Sequence, residues 1–512
     1  MRKLFVVLAS ASCAAGLACG VVSPGAAAAR SKRPADAAPP ATQPESRVVS
    51  RGSVTVGGAP IAYTATAGTL TIKNDKNEPI ASQFYVAYTK TGAGDLSRRP
   101  LTFLYNGGPG SSTIWLHMGA FGPRRVATPD AQTAPPSPPE LVNNDYSLLD
   151  KSDLVFVDAV GTGFSRIVGK GVPKDFFGVD QDIAEFGQFI ERYVTLNDRW
   201  KSPKFLLGES YGTTRSAGVV DYLQEKGVAM NGVILVSSIL NFANDVTGPG
   251  GNDMAYVLYL PTLAAAAWYH DKLPHKPADL DDFLRTVRRF ASGPYAQALM
   301  QGSSLSPSDR AGVLSKLHDY TGISEQYYAH ADLRLDPERF QKELLRDQEV
   351  TVGRLDGRFV GRDIDVNGDS PDYDPSDNAI NAAFTAAFHT YAADGLRYRS
   401  DYPFHVTNYP VVGRSWDWKR KNDPLGAPNV AGDLREAMIK NPQLRVFSAN
   451  GYFDFATPFF ETEYTLSHLG LDPAAQRRIE YGYYQSGHMI YLHVPALAKL
   501  HADLARFYDS AY

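Results

Sequence analysis

A chain of 512 residues is too long for one undecorated domain, so it holds either two domains or one large core with an insertion. With 44% hydrophobic and 21% charged residues and a net charge of -4, it has the composition of a folded protein. Nothing in that balance calls for nucleic acid or an anionic membrane as a partner.

Arg2 and Lys3 precede an apolar run from Leu4 to about Val22 and a small-residue stretch from Gly25 to Ala29. This is the layout of a secretory signal over 1–29 and implies export to a periplasmic or extracellular site. Ser10, Ser12, Gly16 and Gly20 interrupt the run, which sits near the lower limit of about 17 residues for a spanning helix. Cleavage is therefore expected over anchoring, with no integral membrane partner. Cys13 and Cys19 both lie in this segment, so a cleaved chain forms no disulfide and depends on its core. Gly16-Leu17-Ala18-Cys19 partly matches a lipoprotein box, which leaves lipid anchoring at Cys19 as the lesser alternative.

Residues 30–50 are rich in Ala, Pro and charge and read as a flexible leader. From Ser53 to Lys90 apolar and polar residues alternate, with Gly57-Gly58 and Asn74-Asp75 as turns, which predicts antiparallel strands. The rhythm then changes to short apolar runs at Leu101 to Tyr105, Leu154 to Val157, Phe205 to Leu207 and Val233 to Val236. Between them, Ile183, Phe186, Phe189, Ile190 and Val194 mark a helix face. The pattern is that of an α/β fold, a mixed and mostly parallel sheet flanked by helices. The next such run, Leu444 to Phe447, comes about two hundred residues later. The expected organisation is a core over 51–245, a largely helical inserted cap over 246–400, and the second part of the core over 401–512. The cap aromatics Trp268, Tyr269, Tyr327 and Tyr328 fit either a pocket lining or ordinary packing.

Gly208-Glu209-Ser210-Tyr211-Gly212 follows a predicted strand and precedes a predicted helix, the context in which Gly-x-Ser-x-Gly presents a nucleophilic serine on a tight elbow. A serine hydroxyl needs a general base and a carboxylate to orient that base. In the chain order Ser, acid, His, the candidates are Asp454, just past the run Leu444 to Phe447, and His488 in Ser486-Gly487-His488-Met489. Asn106-Gly107-Gly108-Pro109-Gly110-Ser111-Ser112 follows another strand and supplies amides for an oxyanion hole, with the N–H of Tyr211 as the other donor. The first half of a calcium loop is visible in Asp363-Ile364-Asp365-Val366-Asn367-Gly368, with Asp374 at the twelfth position, but Pro371 favours a solvated acidic loop.

Taken in order, Asn106 to Ser112, Asp158-Ala159-Val160-Gly161-Thr162-Gly163-Phe164-Ser165, Gly208 to Gly212, Asp454 and Gly487-His488 resemble the successive motifs of the serine carboxypeptidases. The resemblance implies an α/β-hydrolase fold and release of carboxyl-terminal residues from peptides through an acyl-enzyme. It implies Ser210, Asp454 and His488 as the triad, with Gly108 and Tyr211 as oxyanion donors. Asn106 and Glu209 would hold the substrate carboxylate, and neither cofactor nor metal is needed. A neutral Glu209 is required for that last role, because two carboxyl groups share a hydrogen bond only if one is protonated. The chain departs from the family at Ser111, where a cysteine is common, and at Ala120 and Met489, where glutamates are common. An esterase, amidase or acyltransferase acting on a small acyl substrate is thus the alternative, followed by a non-catalytic exported binding protein.

Overall fold

The computed structural model describes residues 45–135, 138–244, 252–421, 423 and 426–512. The signal segment 1–29, Cys13, Cys19, the leader as far as 44, and residues 136–137 of the proline-rich loop lie outside the described residues.

A sheet runs through β1 (Arg47–Val56), β2 (Ala59–Lys73), β3 (Pro79–Lys90), β4 (Leu101–Tyr105), β5 (Asp153–Val157), β6 (Lys204–Ser210), β7 (Gly232–Ser238), β8 (Arg445–Gly451) and β9 (Ile479–Tyr484). Their order is β1-β2-β3-β5-β4-β6-β7-β8-β9, with the short strand Arg166–Ile167 paired to β3. Antiparallel pairing holds β1 to β3 and joins β3 to β5, and every later junction is parallel. Alternate residues along the parallel strands enter separate cores. Leu104, Phe205, Leu207, Ile234 and Phe447 face one, while Phe103, Tyr105, Leu206, Val233 and Val446 face the other. Burial on both faces is why these strands read as continuous apolar runs in the sequence.

Helices α1 (Val179–Leu196) and α2 (Tyr211–Glu225) cover one face. The predicted stripe of α1 is buried, from Ile183 through Phe186, Phe189 and Ile190 to Val194. The opposite face is covered by α5 (Val494–Ser510) together with α4 (Pro375–Asp394).

Two boundaries differ from the sequence reading. Strand β1 begins at Arg47, so Arg47 to Ser50 pair with Gly68 to Ala65 and are not part of a flexible leader. Composition missed this because β1 is an edge strand whose residues alternate between exposed and half-buried. A third core gathers residues from Tyr256 to Val352, between β7 and β8 and including α3 (Asp253–Tyr269), together with Tyr452, Phe453, Phe455 and Phe459 beyond β8. Helix α4 does not belong to it, since Phe384 and Phe388 pack into the sheet's own core although they fall inside the 246–400 span. Tyr328 is buried in the insertion's core, with Trp268 and Tyr327 packed against it, while Tyr269 is partly exposed.

The acidic loop is neither solvated at its first residue nor arranged as a calcium loop. Asp363 is buried against the ammonium of Lys342, and Asp374 instead caps α4, accepting from Ser376 N at 2.9 Å.

Candidate active site

Parallel strands bring their carboxyl ends to one edge of the sheet, the place where ligands bind in such folds. At that edge lie Asn106 after β4, Glu209 and Ser210 at the end of β6, Ser237 in β7, Asp454 three residues past β8 and His488 four past β9.

Ser210 closes β6 and opens α2 with φ 60° and ψ -132°, a conformation that an L-residue adopts only under strain of about 1–3 kcal/mol. It is half-buried while its neighbours Glu209 and Tyr211 are buried. The turn closes because position 212 is glycine, where a Cβ would lie 2.8 Å from the carbonyl of Tyr105. Since Ser210 caps α2, Tyr211 carries the first free N–H of that helix, at the positive end of the helix dipole.

The glycine loop after β4 lies directly against this elbow, and a side chain on Gly107 would strike the Tyr211 N–H. Gly108 has φ 106° and Gly110 φ 103°, backbone states that only glycine takes at low cost. The N–H groups of Gly108 and Tyr211 are taken by no carbonyl among the loop and cap hydrogen bonds of the described residues. The second motif buttresses this loop. Asp158 accepts from Thr113 N at 2.7 Å, and the Ser165 hydroxyl donates to the Asp158 carbonyl at 2.9 Å.

Asp454 and His488 meet, with Asp454 Oδ2 2.8 Å from His488 Nδ1 and both residues buried. The other carboxylate oxygen accepts from Ala456 N at 2.8 Å and Thr457 N at 2.9 Å. Thr457 also donates its hydroxyl to Asp454 Oδ2 at 2.7 Å. Burial pushes the imidazole pKa down, but the charge and hydrogen bond of Asp454, aided by Glu209, outweigh it and leave His488 above its ordinary value. With Nδ1 turned to the acid, Nε2 is the free nitrogen. No hydrogen bond joins Ser210 Oγ to His488 among the described residues; in ligand-free sites that bond is often long.

Asn106 and Glu209 also meet, Asn106 Nδ2 donating to Glu209 Oε1 at 2.7 Å. Asn106 is fixed on two further sides. Its Oδ1 accepts from Leu116 N at 3.1 Å and its carbonyl from Arg215 Nη1 at 2.8 Å. Arg215, wholly buried under the elbow, is neutralised by Asp182 through bonds of 2.8 and 2.9 Å. Burial raises the Glu209 carboxyl to about 7, against the lowering effects of His488, Tyr491 and Asn106. Glu209 Oε2 and the Tyr491 hydroxyl are both buried, and they interact without forming a hydrogen bond of full geometry among the described residues. Ala120 and Met489 are buried in apolar packing, so no further carboxyl group enters from those two positions.

All seven residues singled out in the sequence thus stand at one strand edge. Thr457, Tyr491 and Ser237, whose hydroxyl donates to the His488 carbonyl at 2.6 Å, were not foreseen. Thr457 stood three residues past Asp454, where a hydroxyl able to bond a turn carboxylate was the available signal. Tyr491 and Ser237 carried none.

Residues 58–247 match the model of a family described as serine carboxypeptidase. That span contains the glycine loop and the elbow but neither Asp454 nor His488. The pheromone-processing carboxypeptidase KEX1 of Saccharomyces cerevisiae is 33% identical over 135 residues, 25% of this chain and 17% of that protein, so only a small part of the curated relative's length is spanned. The crystal structure of the S. cerevisiae prohormone-processing carboxypeptidase Kex1(delta)p matches at TM-score 0.53 and 16% identity over 87% of this chain and 91% of that one, a likeness of fold. Over residues 58–247 the chain is thus similar to the serine carboxypeptidases, and it shares the α/β-hydrolase fold.

Proposed function

We propose that the protein is a serine-type carboxypeptidase in which Ser210 attacks the last peptide bond, His488 takes and returns the proton, and Asp454 holds His488 in the required tautomer. The N–H groups of Gly108 and Tyr211 stabilise the oxyanion, and the released residue leaves an acyl-enzyme for water to hydrolyse. These steps use side chains and backbone alone. The signal-like segment supports export. Among the described residues no helix is long and apolar enough to cross a membrane.

The observation that carries the reading toward peptides with a free carboxyl end is Glu209. It is buried beside Ser210, bonded to Asn106 through one oxygen, and raised to about 7, with no hydrogen bond of full geometry to its other oxygen among the described residues. A carboxyl group with a pKa of about 7 is neutral below that pH and then donates from that oxygen to a substrate carboxylate, as the Asn106 amide does from its other hydrogen. Cleavage of matched peptides with free and amidated ends tests this. Preference for the free acid by at least about tenfold in kcat/KM is expected, and equal rates would overturn it. The second reading, a general acyl hydrolase, is favoured by buried, apolar Ala120 and Met489 and gains ground if esters and amides are the better substrates.

A further inference from the structure

The ladder between β8 and β9 ends at Gly451 paired with Tyr484, short of both Asp454 and His488. Beyond it the two loops bond each other through Tyr452 N to Tyr484 O at 3.0 Å and Phe453 N to Ser486 O at 3.0 Å. What spans the residues that matter comes from the segment between β7 and β8. His488 N donates to Leu355 O at 2.6 Å, Phe455 N to Arg354 O at 3.1 Å, and Gly357 N to Phe453 O at 2.8 Å. Asp356 completes the lacing by accepting from Gly487 N at 3.1 Å, across 131 positions of sequence. Position 487 must be glycine for this approach, because any Cβ there would run into Asp356.

The lacing segment is itself held from behind. Asp374 accepts from Arg354 N and Leu355 N, both at 3.0 Å, and the Ser376 hydroxyl accepts from Asp356 N at 3.2 Å. Both anchors belong to the start of α4, which packs into the sheet's core. Arg358 grips the Asp356 carboxylate at 2.6–3.2 Å, with both side chains about 2% exposed, and also pairs with Asp130 at 2.9 Å. A buried carboxylate with a guanidinium on one side and a backbone N–H on the other has little freedom, so it fixes the N–H it receives.

We propose that the loop from Arg354 to Arg358 is the positioning element of the acid–base pair, and that Asp356 is its positioning residue, setting the His488 loop at its distance from Asp454. This rests on the reading of Asp454 and His488 as acid and base, which His488→Ala tests separately by loss of turnover. The charged and titratable groups facing His488 are Asp454, Glu209 and Arg354, with the Asp356 and Arg358 pair behind the Gly487 peptide.

The test is Asp356→Asn, assayed on an ester and on a peptide across pH at 25 °C. Loosening the loop lengthens the Asp454 contact that raises the His488 pKa. The acid limb of kcat is therefore expected to move to lower pH, while kcat falls about ten- to a hundredfold with KM unchanged. Asp130→Asn, which removes the outer partner of Arg358, should leave the limb in place. If Asp356→Asn does not fold, Gly487→Ala carries the same test, since it presses a methyl group onto Asp356 without altering a charge. A folded variant at either position with wild-type kcat and an unmoved limb, however much its melting temperature drops, would overturn the proposal. Should His488→Ala instead retain full turnover, the functional reading fails and not this inference alone.

Discussion

Ser210 and His488 stand at the same edge of the sheet, yet different lengths of sequence hold them. The serine's conformation is made within five residues, by a strand that ends, a helix that begins and glycines on either side. The histidine's is made by four partners from three distant places: Asp454 with Thr457, Ser237, and the Leu355 carbonyl. A nucleophile on an elbow is a local device that a short motif can transmit. A base on a loop depends on the whole fold, and small changes far along the chain can detune it. The span that matches the family model ends before the acid and the base, in keeping with that difference.

The sharpest break to make in this comparison is at the local end. Ser210→Ala should lower kcat about 10⁴- to 10⁶-fold, with His488→Ala close behind and the double variant no worse than either. Active-site titration excludes trace contaminant, and melting curves should stay within a few degrees because the hydroxyl of Ser210 makes no hydrogen bond among the described residues. Full additivity of the two losses would show that they do not act as a unit.

Next in size is the contact between the elbow and the glycine loop. Gly107→Ala puts a methyl group against the Tyr211 N–H and should displace one or both oxyanion donors, lowering kcat about 10²- to 10³-fold with little change in KM. Slower labelling of Ser210 by a fluorophosphonate, with unaltered far-ultraviolet circular dichroism, would separate this from unfolding.

At the long-range end, Thr457→Val keeps the shape of the side chain and removes the hydroxyl donated to Asp454 at 2.7 Å. A hydrogen bond to a buried charge contributes about 1.5–3 kcal/mol, so kcat should fall about ten- to a hundredfold. Thr457→Ser, which retains the donor, should recover most of it. A serine variant as slow as the valine one would mean that packing and not the hydrogen bond is at stake.

What could be read from the sequence follows the same division. Leu101 to Tyr105 is a strand to the residue, and the runs at Phe205 and Val233 fall inside β6 and β7, because strands buried on both faces leave an uninterrupted apolar signature. The elbow and the glycine loop were legible because their backbone states demand particular residues. Arg354-Leu355-Asp356-Gly357-Arg358 carried no sequence signal, since its anchors Asp374 and Ser376 lie about twenty positions onward, its partners in the acid and base loops about a hundred or more, and no local period marks either. Lys342, too, stands 21 positions before Asp363, so the acidic loop read as solvated when its first carboxylate is in fact paired and buried. Helix α4 falls among the insertion's helices in sequence and was assigned with them, yet its aromatic residues fill the sheet's core.

The smallest expected effect lies where the local and long-range halves touch, at Glu209 and His488. Glu209 follows its neighbour's motif in sequence, but its proton is governed by burial and by the imidazole across the site. Its folded pKa of about 7 stands above the ordinary glutamate value, so the carboxyl is neutral below that pH and charged above it. A charged Glu209 repels a substrate carboxylate. KM for free-acid peptides should therefore rise above pH 7, by at most about tenfold per pH unit, while KM for the matching amide or ester stays flat. His488 must be neutral to accept the serine proton, so kcat rises with pH through the imidazole pKa for every substrate. The two groups are coupled, because the negative charge of Glu209 helps hold the His488 pKa up. Glu209→Gln keeps a donor, removes that charge and cannot titrate. It should flatten the peptide KM profile above pH 7 and, where Glu209 and His488 would otherwise ionise together, shift the acid limb of ester kcat to lower pH. Both shifts should appear in one variant. A flat KM profile in the wild type would remove Glu209 from the carboxylate site, whereas an unmoved acid limb in Glu209→Gln would show that its charge does not reach the base.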